Sequence, residues 1–115
     1  MGDDLTGSYA VLWREHEGPI YAGKVELGAR GLELRGSRHG RRRASRTIRY
    51  EELAGLSLTR APERLYGKLT LVLELRGTGA VARGGAVEIA AVDGLGTVRE
   101  LEERIAARVP ELPVD

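Results

Sequence analysis

Residues 94–109, GLGTVRELEERIAARV, form the one long stretch with helical spacing in a chain otherwise written in short alternating runs. Val98, Leu101, Ile105 and Val109 fall at i, i+3, i+7 and i+11, which makes one apolar stripe with Ala106 at its margin. Thr97 and Glu100 fit the S/T-x-x-E capping box. Glu100 and Arg104 are an i, i+4 pair, and Pro110 stops the helix beyond Val109. A helix of about three turns is marginal alone in water. The stripe therefore needs a partner surface, and the preceding strands must supply it.

Those strands are read from period-two alternation. Tyr9, Val11 and Trp13 share one face of a first strand over 9–14. A second strand covers 21–27, with Val25 and Leu27 inward, and a turn at 28–31 leads to a third strand through Leu32 and Leu34. Residues 36–45 read as a loop. Ile48 and Tyr50 mark a fourth strand over 46–50, and 51–54 a connector with room for one helical turn. A fifth strand runs over 55–60. A sixth, over 68–76, places Leu69, Leu71, Leu73 and Leu75 on one face. The seventh is lined by Val87, Ile89 and Ala91. Residues 1–8 and 110–115 are expected to be flexible ends of a single domain over 9–109. The prediction is a mainly β fold: a seven-stranded antiparallel, partly open barrel or sandwich capped by one C-terminal helix.

Composition limits the chemistry. There is no cysteine, which excludes disulfides and thiolate metal sites. No apolar run approaches the roughly 18 residues of a membrane span, and MGDDLTGS is not a secretory signal, so a cytoplasmic protein is expected. With Phe absent and one Trp, Leu, Val, Ile and Ala must fill the core. Sixteen of the eighteen basic residues are Arg, a bias that points to a GC-rich bacterial genome. The net charge is +1, yet residues 35–49 hold seven Arg and no acid, which leaves −6 on the rest of the chain.

The element order resembles the pleckstrin-homology-like domains. The residues that carry the resemblance are KVELGARGLELR at 24–35, TIRYEELAGL at 47–56 and GLGTVRELEER at 94–104. The resemblance spans about residues 9–109 and implies a binding or scaffold role. In the domains that bind phosphoinositides, basic residues lie between the first two strands. The corresponding turn here, EHEGP at 15–19, is acidic, so that lipid site is not carried over.

One constellation stands out: Arg38, Arg41, Arg42, Arg43 and Arg46 in the basic loop 38–46, with Arg76 and Arg83 near enough in a meander to join them. Guanidinium forks bind phosphate or carboxylate bidentately. Each contributes about 1 kcal/mol at an anionic bilayer, so an anionic membrane surface is a possible partner. Nucleic acid is disfavoured because no aromatic residue in the loop can stack a base. Arg42-Arg43-Ala44-Ser45 also fits a basophilic kinase acceptor. A metal site would need His16, His39, Glu15 and Glu17 together, and a polar turn is the simpler reading. No nucleophile elbow, phosphate-binding loop or dinucleotide fingerprint is present. The expectation is a non-catalytic domain without cofactor, metal or small-molecule substrate. Its partner is another protein or a second copy, with weak binding of lipid headgroups or RNA through the loop as the alternative.

Overall fold

The computed structural model describes residues 7–15, 18–38, 40–60, 65, 68–76, 85–92 and 96–110. They form seven strands: β1 (Gly7–Glu15), β2 (Tyr21–Leu27), β3 (Gly31–Arg38), β4 (Arg42–Arg49), β5 (Leu53–Thr59), β6 (Thr70–Leu75) and β7 (Ala86–Ala91). A 3-10 turn, Tyr50–Glu52, separates β4 from β5, and the helix α1 spans Gly96–Arg108. All pairings are antiparallel, in one sheet of order β4-β3-β2-β1-β7-β6-β5. The chain is thus mainly β, a curled half-barrel with a C-terminal helix, as the sequence predicts.

The curl gives the sheet an inner face, and alternation fills it. Val11, Trp13, Val25, Leu27, Leu32, Leu34, Ile48, Leu71, Leu73, Val87 and Ile89 belong to one buried cluster with Val98, Leu101 and Ile105 of α1. The helical stripe therefore closes the core, with Val109 half-buried at its end. Polar contacts fix the rim. Tyr9 Oη donates to Glu100 Oε2 at 2.7 Å, and Arg104 lies over the Tyr9 ring. Tyr50 Oη donates to the Gly28 carbonyl at 2.7 Å, with Arg108 over its ring. Glu100 and Arg104 form the expected i, i+4 pair at 3.6 Å. Because α1 begins at Gly96, Thr97 lies inside its first turn.

Several boundaries differ from expectation. β1 takes in Gly7 and Ser8, so these belong to the sheet and not to a loose end. The register of β5 shifts between Leu53 and Gly55, which re-phases the strand so that Leu53 and Leu56 both reach the core. Residues 36–38 and 42–45 are strand and not loop: β3 runs to Arg38 and β4 starts at Arg42. Gly36 is there for packing. A Cβ on it would lie 2.9 Å from Trp13 Nε1 and 2.9 Å from Tyr21 Cβ. The indole fills that notch and donates from Nε1 to the Arg35 carbonyl at 3.1 Å.

Burial is not confined to one face. Thr70, Val72, Glu88 and Ala90 alternate with the core residues of β6 and β7 and are buried as well. Glu88 faces Arg14 across the β1–β7 ladder and accepts a hydrogen bond from Arg14 Nε at 2.8 Å. That pairing satisfies a carboxylate which would otherwise be costly to bury. No helix among the described residues is long and apolar enough to cross a membrane.

Candidate binding surface

The five arginines of 38–46 sit on the β3–β4 hairpin. Gly40 holds φ +68 at its tip, a left-handed conformation glycine adopts without steric cost, and the Arg41 N–H donates to the Arg38 carbonyl at 3.2 Å. β3 pairs with β2 only as far as Ser37 with Ala22, whereas β3 and β4 pair on to Arg38 with Arg42. The tip therefore stands beyond the neighbouring strand.

Strand geometry divides what the sequence groups together. Successive side chains on β4 point to opposite faces. Arg42 and Arg46 share the face of Ile48, whereas Arg43 shares the other with Ser45, Thr47 and Arg49. Arg38 is directly opposite Arg42, so two like charges face each other at the tip. Arg43 is across from Ser37, and Ser45 across from Arg35. A hollow of about 270 Å³ is lined by Arg35, Gly36, Arg43, Ala44 and Ser45. Arg35, outside the basic loop 38–46, joins this group. Register could have indicated it, since a hairpin centred on Gly40 brings residue 35 opposite 45.

Partners separate these arginines further. Arg46 Nε is 3.7 Å from Glu15 Oε1, an ion pair across the mouth of the half-barrel. That nitrogen is sealed from solvent and makes no hydrogen bond. Arg35 donates to Glu33 at 3.0 Å. Arg38, Arg41, Arg42 and Arg43 are exposed and have no acidic partner among the described residues. Arg76 does not join them: it donates from N to the Glu52 carbonyl at 2.8 Å and from Nε to the Leu53 carbonyl at 3.2 Å. Arg83, His16, Glu17 and His39 lie outside the described residues.

A larger groove, about 610 Å³, crosses β1 to β4 on the outer face. Ser8, Glu26, Glu33 and Thr47 form one cross-strand row along it, and Arg30 and Arg49 flank them. Its charge is mixed, unlike that of the hairpin. No group of three or more His, Cys, Asp or Glu among the described residues could hold a metal ion. Three groups displaced in pKa lie around α1. Burial, and then the hydrogen bond to Glu100, pushes the Tyr9 phenol from 10.0 up to about 12. Burial also raises Tyr50 and Glu102. Trp13 is fully buried and Tyr9 half-buried against the helix, so neither offers an open aromatic platform.

Compared with models of known families and with curated proteins, the chain matches none.

Proposed function

We propose that this chain is a non-catalytic binding domain, pleckstrin-homology-like in kind, that docks an acidic protein partner on the β3–β4 hairpin. The observation that carries the reading is the set of four exposed arginines, Arg38, Arg41, Arg42 and Arg43, held past β2 without acidic partners among the described residues. Side chains that already make ion pairs would have to break them to bind; these do not. The hairpin backbone is held by the β3–β4 ladder, so little chain ordering is needed on binding. The division of the arginines between two faces favours a partner that wraps the tip over one that lies flat against it. Seven antiparallel strands and a terminal helix are the element order that the family resemblance implies.

The test uses poly-L-glutamate as an acidic polypeptide, with phosphatidylserine vesicles and a single-stranded RNA as the other anions. Replacing Arg41, Arg42 and Arg43 together by Ala should weaken poly-L-glutamate binding by about tenfold at low salt, the sum of three exposed charge pairs. The circular dichroism spectrum should not change. Binding that the triple variant leaves intact would refute the reading. Binding to vesicles or RNA alone would reassign the hairpin to phosphate.

A further inference from the structure

β4 ends the sheet, and the geometry fixes which of its main-chain groups are free. The Tyr50 N–H donates to the Arg30 carbonyl at 3.0 Å, in the register that sets Gly31 against Arg49. Hydrogen-bonded and non-bonded pairs alternate along an antiparallel ladder. The bonded pairs are therefore Leu32 with Ile48, Leu34 with Arg46, and Gly36 with Ala44. Arg43, Ser45 and Thr47 must then turn their N–H and C=O groups away from β3. No described residue takes these groups up. Arg49 differs, because its N–H donates to Glu52 Oε2 at 3.2 Å. The edge is blunted at the Arg49 end and open over 43–47.

Open edges are templates for a further strand, and proteins commonly block them with proline or charge. No proline lies in β4. Charge does, with one sign only: residues 41–49 carry five Arg and no acid. A second copy paired on this edge through its own β4 would set those arginines against their own kind, so charge opposes β4-to-β4 pairing. An extended acidic polypeptide meets the reverse. Its main chain can bond to residues 43, 45 and 47. Its alternate side chains fall beside Arg42 on one face and Arg43 on the other. The hollow lined by Arg35, Gly36, Arg43, Ala44 and Ser45 abuts this edge. Lipid headgroups and RNA satisfy the charge and have no strand to add.

We infer that β4 binds an extended, acidic segment of a partner protein by strand addition along residues 43–47, an inference that rests on the hairpin's being the docking surface proposed above. Ser45→Pro isolates it. The Ser45 N–H makes no bond to β3, so proline there removes no ladder hydrogen bond and is tolerated at an edge. It does remove a donor that the incoming strand needs, and it leaves every arginine in place.

The probe is a fluorescein-labelled peptide of alternating Glu and Thr, read by anisotropy at low salt. The same peptide N-methylated at alternate residues is measured against the wild-type chain, which keeps the test independent of how the proline variant folds. Strand addition predicts about tenfold weaker binding for Ser45→Pro with an unchanged melting temperature, and a similar loss for the N-methylated peptide. If Ser45→Pro and N-methylation change nothing while the triple arginine variant weakens binding, strand addition is overturned and the basic-hairpin reading survives. If the peptide does not bind, or binds indifferently to all three changes, both fall.

Discussion

Docking of α1 can be measured on one side chain. Leu101 is fully buried in the shared cluster, between Val98 and Ile105 on the same stripe. Leu101→Ala removes its contacts with the sheet and leaves a cavity that the surrounding strands can only partly close. That costs about 2–5 kcal/mol, a large share of the roughly 5–15 kcal/mol by which a domain is stable. At about 4 °C per kcal/mol the melting temperature should fall by about 8–20 °C. Ala107→Gly is the control, since Ala107 is exposed on the same helix and its replacement costs only helix propensity, about 1 kcal/mol. Urea titration followed by far-UV circular dichroism gives both free energies. Equal losses for the two variants would mean that α1 is not packed on the sheet, and the account of the core would fail with it.

Gly36→Ala should destabilise by about 1–2 kcal/mol and shift tryptophan emission, because the new methyl meets Trp13 Nε1 and Tyr21 Cβ at 2.9 Å each; unchanged emission would dismiss the notch. Stability should fall as pH rises from 10.0 to about 12. Tyr9 has a folded-state pKa raised above its ordinary value, so its contribution is complete below 10.0 and lost as the phenol ionises in the fold. Tyr9→Phe should flatten that decline in melting curves, though Tyr50, also raised, will keep part of it. Arg38→Glu should raise stability by about 0.2–1 kcal/mol by turning a like-charge pair with Arg42 into an opposite one; a lower melting temperature would show that the two guanidinium groups do not repel.

What could be read from the sequence was whatever alternates against a core. β2 occupies Tyr21–Leu27 as predicted, Leu32 and Leu34 point inward, and the stripe Val98, Leu101, Ile105 is the buried face of α1. The hairpin tip was misread for a physical reason. Residues 36–38 and 42–45 have little apolar surface to bury, so their composition resembles a loop, while main-chain pairing between β3 and β4 keeps them extended. Pairings between distant residues were not legible either. Arg14 and Glu88 are joined by the β1–β7 register, and Arg46 and Glu15 by the curl of the sheet, neither of which is local in sequence. The open edge at 43, 45 and 47 follows from register as well.

The notch at Gly36 makes the chain its own sensor. Trp13 is the sole tryptophan, and its indole nitrogen is bound to the carbonyl of Arg35, on the strand that carries the hairpin. Whatever tugs on that strand must lengthen or bend this bond, and indole emission responds to such changes in its polar surroundings. Ligand titrations can thus be followed in unlabelled protein, from inside the barrel wall rather than from the tip where the ligand lands.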